Sequence, residues 1–199
     1  MRLGVLGGTF DPVHTGHLVL AEQAREQLRL DRVLWVPAGD PWRKAGEPVS
    51  PAEDRLVMVR LAIEGNDGFE VSTTELDRAG PTYTLDTLQQ LRGEYAAEEL
   101  FFLLGLDGLA DLPNWHKPAE LIRLALLGVA RRGDEQLRLA ELERQMPGLE
   151  ERVRWVEMPR LDISGTELRR RASEGRSLRY LVPSAVASYV REHGLYRSA

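Results

Sequence analysis

A short apolar run, residues 3–6, meets the glycine pair Gly7-Gly8, and from near Thr15 the side chains Leu18, Ala21, Ala24 and Leu28 recur at helical spacing. That order reads as strand, tight turn and helix, and the same alternation runs to the end of the chain. Residues 33–36 form a second strand ending at Pro37. Residues 69–72 and 100–104 give a third and a fourth, and residues 126–130 and 153–156 give two more. Ser50-Pro51-Ala52-Glu53 predicts a capped helix start, the helix running on to Ile63. Leu85, Leu88 and Leu91 mark one face of another helix, and the charged stretch 135–146 favours a further one. Helices over about 165–173 and 183–193 close the chain, with Gly194 as terminator. Buried strands separated by helices need crossover connections, so the fold class is α/β: a Rossmann-like doubly wound parallel sheet with helices on both faces. Ligands of such sheets lie outside the carboxyl ends of the strands. The loops after Leu6, Pro37, Leu104 and Val156 are therefore where chemistry is expected.

The 199 residues suit one domain, 1–199, with residues from about 163 to 199 as a small helical portion. Apolar runs at 100–106 and 124–130 are far shorter than the roughly 20 residues of a membrane span. The amino-terminal residues carry no long apolar core of a signal peptide, so a cytoplasmic location is expected. The absence of cysteine excludes disulfides, thiolate-bound metal and a thiol nucleophile. Lys and Arg number 26 against 31 Asp and Glu, and the resulting charge of -5 argues against a nucleic-acid partner while leaving room for a small anion. Only Lys44 and Lys117 are lysines, every other basic side chain being arginine. Lys44 stands in a loop through Pro41 and Pro48 that reads as a candidate lid.

The first loop is Gly7-Gly8-Thr9-Phe10-Asp11-Pro12-Val13-His14-Thr15-Gly16-His17. Its two glycines let backbone N–H groups approach a ligand, and the helix beginning near Thr15 turns its positive end to the same place, which suits a phosphate. His14 and His17 can both donate to phosphate oxygens, and Gly16 between them leaves room for a nucleobase or sugar. The plain alternative is a glycine turn with two surface histidines. The dinucleotide fingerprint Gly-x-Gly-x-x-Gly and the Walker-A ending Gly-Lys-Ser/Thr are both absent.

This loop resembles the signature of the nucleotidyltransferases that carry a His-x-Gly-His motif, a group related to class I aminoacyl-tRNA synthetases. Ile163-Ser164-Gly165-Thr166-Glu167-Leu168-Arg169 looks like the same group's Ile-Ser-x-Thr-x-x-Arg motif. Ser164 and Glu167 are also spaced as a capping box. Further segments resemble the bacterial nicotinate mononucleotide adenylyltransferases. They include Pro37-Ala38-Gly39-Asp40-Pro41-Trp42-Arg43-Lys44, Thr82-Tyr83-Thr84-Leu85-Asp86-Thr87-Leu88, and Gly105-Leu106-Asp107 with Trp115. Pro159-Arg160-Leu161-Asp162, Arg179-Tyr180-Leu181-Val182-Pro183 and His193-Gly194-Leu195-Tyr196 complete a likeness that spans nearly the whole chain.

The resemblance implies transfer of AMP from ATP to nicotinate mononucleotide, giving nicotinate adenine dinucleotide and pyrophosphate in NAD biosynthesis. Mg²⁺ would come bound to substrate, with no metal site among the protein's own side chains, and a homo-oligomer is left open. By the same resemblance, Gly7, Gly8, Thr9, Phe10, His14, Gly16, His17, Ser164, Thr166 and Arg169 bind ATP. His17, His14, Lys44 and Arg169 are its catalytic groups, and Thr84, Asp107 and Trp115 hold nicotinate mononucleotide. The nucleophile is already an anionic phosphate oxygen, so attack is direct and in line, without a covalent intermediate or a general base. On structural grounds alone, Thr84 and Asp107 also suit helix starts, Asp11 suits holding the turn, and Trp115 suits a half-buried core aromatic. Three departures from the family pattern stand out: Gly165 in place of Ser, Gly108 after Asp107, and Asp40-Pro41-Trp42-Arg43-Lys44 in the second loop. The rival readings are a phosphopantetheine adenylyltransferase and a nucleotide sensor without catalysis.

Overall fold

Six strands pair side by side, in the order 69–71, 32–37, 2–8, 99–105, 126–131 and 153–157, and every neighbouring pair is parallel. The structure is a computed structural model that describes residues 1–41, 49–95, 99–131 and 139–197. The first half comprises β1 (Arg2–Gly8), α1 (Thr15–Gln27), β2 (Arg32–Pro37), β3 (Asp40–Pro41), α2 (Ala52–Ile63), β4 (Phe69–Val71), β5 (Pro81–Thr82) and α3 (Thr84–Tyr95). The second comprises β6 (Glu99–Gly105), α4 (Leu106–Asp111), α5 (Pro118–Leu124), β7 (Leu126–Arg131), α6 (Leu139–Gln145), β8 (Val153–Glu157), α7 (Gly165–Ser173) and α8 (Ser184–Glu192). From β1 the chain first builds outward through β2 and β4, then returns to lay β6 on the other side of β1. The order reverses between β1 and β6, which opens a crevice at their carboxyl ends.

The two-residue period of the strands sorts their apolar side chains into two layers. Leu6, Val33, Trp35, Phe101 and Leu103 pack with Leu20, Ala21 and Ala24 of α1, Met58, Val59 and Ile63 of α2, Leu168 of α7, and Val186 and Val190 of α8. Leu3, Val5, Leu34, Val36, Phe102, Leu104, Leu127 and Val129 face the other way, against Leu85, Leu88 and Leu91 of α3, Leu121 and Ile122 of α5, and Leu142 of α6. Both faces of the sheet are thus covered, as continuous apolar strands require. The closing helices α7 and α8 share one core with α1 and α2, on the face nearest the first loop.

Local signals succeeded where they were long. Gly194 is left-handed at φ 63° just past α8, with the Leu195 N–H donating to the Val190 carbonyl at 3.0 Å. The cap expected from Ser50 does not form: α2 begins at Ala52 after Pro51, and the Ser50 N–H instead donates to Asp11 Oδ2 at 3.2 Å. A long-range bond has displaced the local one. Between β6 and β7, Asp107 falls in the first turn of α4, in keeping with the helix start that residue suits, whereas α5 is unannounced in the sequence because 7 residues are too few to show a period. Of the expected lid, residues 42–48, including Trp42 and Lys44, lie outside the described residues.

The small β3–β5 pair brings residues 40–41 against residues 81–82 and presses the preceding backbone onto Glu75. A Cβ at Gly39 would stand 2.1 Å from the Glu75 carbonyl oxygen. Backbone cannot yield as a side chain can, so Gly39→Ala is expected to destabilise the fold by about 2–3 kcal/mol. A denaturant midpoint equal to that of the unaltered protein would show that the approach relaxes freely.

Candidate active site

The loop from β1 to α1 is built around packed rings. Phe10 adopts a left-handed backbone, φ 51°, and is buried against Trp35, with ring centroids 5.5 Å apart. Its ring leaves 3.0 Å for a Cβ at Gly8, which accounts for a glycine there. The Phe10 side chain belongs to the core, which leaves only the backbone at this position for a ligand to meet. The Phe10 and His17 rings meet nearly at right angles, with centroids 5.1 Å apart, and the His14 and His17 imidazoles stack with centroids 3.6 Å apart. A Cβ at Gly16 would come within 3.1 Å of His14 Nδ1, so this glycine keeps the His14 ring in its place. His14 caps α1, and its backbone N–H donates to His17 Nδ1 at 3.2 Å. A ring nitrogen that accepts carries no proton, so the neutral His17 ring bears its N–H on Nε2. The pair is held as a unit with that donor on its far edge.

Asp11 ties this loop to the rest of the site. It is 4% exposed, and its Oδ1 accepts from the Tyr196 hydroxyl at 2.7 Å while Oδ2 accepts from the Ser50 N–H. Its carbonyl accepts from Arg169 Nη1 at 2.8 Å, so the first loop and the Ser164–Arg169 segment, far apart in sequence, meet directly. Arg169 Nη2 also reaches Thr166 Oγ1 at 3.5 Å. Ser164 caps α7 as its spacing predicts, its Oγ accepting from the Glu167 N–H at 3.3 Å. The Glu167 carboxylate turns instead to Arg170, at 2.8 Å. A Cβ at Gly165 would lie 3.1 Å from the Asp11 carbonyl oxygen and 3.3 Å from Arg169 Nη1. The glycine that departs from the family pattern thus lies directly against the contact between the two motifs, where a side chain would fit tightly.

Sequence reasoning missed Arg55. It lies on the buried stripe of α2 with Met58, Val59 and Ile63, and is 2% exposed. Its guanidinium donates to the carbonyls of Ser50 at 3.0 Å, Thr9 at 3.0 Å, Ala38 at 2.7 Å and Gly39 at 3.3 Å. These are the segments leaving β1 and β2 and entering α2. Burial pulls the Arg55 pKa below its ordinary value, and the nearby Asp11, Tyr196 and Glu75 oppose that pull. An arginine in register with an apolar stripe was the available signal.

On the other side of the crevice, Thr84 opens α3 and Asp107 lies exposed in the first turn of α4. Trp115 is half-buried, its ring edge-on to Phe102 at 5.8 Å and its Nε1–H donating to Asp111 Oδ2 at 3.1 Å. Tyr83 and His116 stack at 4.3 Å, so the neighbours of Thr84 and Trp115 touch and bring those two positions into one region. Asp111 and His116, which touch Trp115 and Tyr83, carry no motif of their own.

A family described as cytidylyltransferase-like matches residues 5–171. The chain is 48% identical over 197 residues to the probable nicotinate-nucleotide adenylyltransferase of Thermomicrobium roseum, covering 99% of this chain and 92% of that protein. It is 49% identical over 195 residues to that of a Roseiflexus species, covering 98% of each. Among solved structures, Plasmodium falciparum nicotinic acid mononucleotide adenylyltransferase complexed with NaAD superposes with a TM-score of 0.79 at 17% identity, covering 98% of this chain and 97% of that one. The same enzyme complexed with APC gives a TM-score of 0.78 at 17% identity, over 98% of this chain and 96% of that one. These likenesses carry the Rossmann-like fold, and the close full-length relatives carry the lineage: the chain belongs to the nicotinate-nucleotide adenylyltransferase family.

Proposed function

We propose that this protein transfers AMP from ATP to nicotinate mononucleotide, releasing pyrophosphate and forming nicotinate adenine dinucleotide for NAD biosynthesis. The observation that carries the reading is the Arg169 guanidinium standing on the Asp11 carbonyl, three residues before His14. That contact brings together the two segments to which this reading gives the phosphates of ATP. A phosphate oxygen of the acceptor attacks the α-phosphorus, the bond from that phosphorus to the bridging oxygen breaks, and pyrophosphate leaves with the electron pair. The attacking oxygen is anionic already, so the protein's work is placement and charge stabilisation. His17, donating from Nε2, stabilises charge on the α-phosphate, with His14 stacked behind it. Arg169, with Ser164 and Thr166 at the start of α7, holds the phosphates that leave, and the backbone of residues 7–10 and Gly16 receives the rest of ATP. Lys44 adds a point charge from the second loop.

Imidazoles and a guanidinium suit phosphate oxygens better than a hard cation, and the buried Asp11 has both carboxylate oxygens engaged. Such a donor set fits Mg²⁺ carried by the triphosphate, where it would neutralise charge on the leaving group. At the opposite wall, Thr84 and the amide end of α3 receive the nicotinate carboxylate, the Trp115 indole lies against the pyridine ring, and Asp107, exposed in the first turn of α4, is a further contact for nicotinate mononucleotide.

The test is the stereochemical course at phosphorus. With nicotinate mononucleotide, Mg²⁺ and ATP made chiral at the α-phosphorus, the dinucleotide is expected with inverted configuration and one pyrophosphate per turnover. Retention would require an adenylylated protein and would overturn direct displacement.

A further inference from the structure

We propose that Tyr196 is a positioning residue for the adenylyl-transfer site: its hydroxyl sets the Asp11 turn, from which the His14–His17 pair and the Arg169 guanidinium take their places. The inference rests on the function proposed above.

Beyond α8 the chain reverses through two left-handed residues, Gly194 at φ 63° and Tyr196 at φ 67°. That region is unfavourable for an aromatic residue and needs surrounding contacts to hold it. The surrounding structure supplies those contacts. α8 is anchored by buried Val186 and Val190, and by the Tyr189 hydroxyl donating to Asp54 Oδ1 of α2 at 2.7 Å. From there Tyr196 reaches inward past Met58, its hydroxyl oxygen 4.0 Å from the sulfur, to Asp11 Oδ1 at 2.7 Å. Burial pushes the Tyr196 pKa upward, and the hydrogen bond to the Asp11 carboxylate acts in the same direction, so the hydroxyl stays a donor.

Asp11 is gripped from two elements, Tyr196 on one oxygen and Ser50 on the other, which fixes the plane of its carboxylate. Its carbonyl is thereby aimed at Arg169, and the chain then enters His14 through Pro12 and Val13. Without the Tyr196 hydroxyl, a buried carboxylate oxygen loses its charge-assisted donor. The cheapest relief is rotation of the turn, which carries both phosphate-binding groups with it. A displacement of about 1 Å at such groups costs on the order of 100-fold in rate.

Tyr196→Phe keeps the ring and removes only the hydroxyl. We expect kcat to fall roughly 10- to 100-fold, with KM for both substrates within about threefold. Asp54→Asn weakens the hold on the same helix from its other side and is expected to keep kcat within about twofold. The chain has 4 histidines, few enough to assign their imidazole resonances individually. Those of His14 and His17 should shift in Tyr196→Phe and stay in place in Asp54→Asn. An unchanged kcat in Tyr196→Phe, unshifted His14 and His17 resonances, or an equal loss in Asp54→Asn would each overturn the proposal. Failure of the unaltered protein to turn over would remove the proposed function instead, and the resonances would still decide whether Tyr196 sets the turn.

Discussion

Replacing His17 by Ala is expected to lower turnover by roughly 10²- to 10³-fold, the range found when one donor aimed at developing charge is removed. The KM for ATP should change by less than about threefold, because a donor matched to the reacting phosphate stabilises the transition state more than the bound nucleotide. The structure favours this division. His17 accepts from the His14 N–H through Nδ1, stacks on the His14 ring and meets the Phe10 ring, so its Nε2–H is held in a fixed direction before substrate arrives. His17→Asn offers a side-chain N–H from a shorter reach and should recover only part of the rate. Steady-state kinetics decide the matter: retained kcat with weakened ATP binding would make His17 a binding group alone.

The largest effect on stability is expected at Arg55. Truncation to Ala strips donors from four carbonyls on three separate segments and leaves the space of a long side chain beneath the site. Unsatisfied buried acceptors and the cavity together should cost roughly 3–5 kcal/mol. For a chain of this size that lowers Tm by on the order of 10 °C. Arg55→Lys keeps the charge but replaces a planar fork by a single point donor, and should recover less than about half of the loss. Thermal unfolding followed by circular dichroism checks both variants. A Tm for Arg55→Ala within about 2 °C of the unaltered protein would mean that the four carbonyls find other donors at no cost.

Arg55 also marks where the sequence stops being legible. Strand positions could be read because each is a short continuous apolar run, and the two-residue period of a strand then sorts Leu34 and Val36 from Val33 and Trp35 onto opposite faces. The switch point at β1 follows once the strands are parallel. The two terminal motifs stand out in the sequence, but no periodicity says that Arg169 will stand on the Asp11 carbonyl. Bonds between distant segments leave no local pattern. The same reason defeated the Ser50 cap, whose N–H went to Asp11 and whose carbonyl went to Arg55. Phe10 stood inside a ligand-binding motif, yet its side chain fills the core behind the histidines. Asp11 reads correctly as a residue that holds the turn, and Trp115 as a half-buried aromatic packed on Phe102. In each of these cases the residue type was informative and its partner was not.

Acceptor choice tests the assignment most directly. Pyrophosphate release from ATP and Mg²⁺ is measured with nicotinate mononucleotide, nicotinamide mononucleotide and phosphopantetheine, and the three values of kcat/KM are compared. A carboxylate placed at the amide end of α3 beside Thr84 accepts charge-assisted hydrogen bonds that an amide cannot match. Nicotinate mononucleotide is therefore expected to exceed the nicotinamide form by about tenfold or more, which corresponds to one such bond, and phosphopantetheine should give no release above background. Preference for the nicotinamide form would contradict the reading of the Thr84 wall, and release with phosphopantetheine equal to that with nicotinate mononucleotide would contradict the assignment itself.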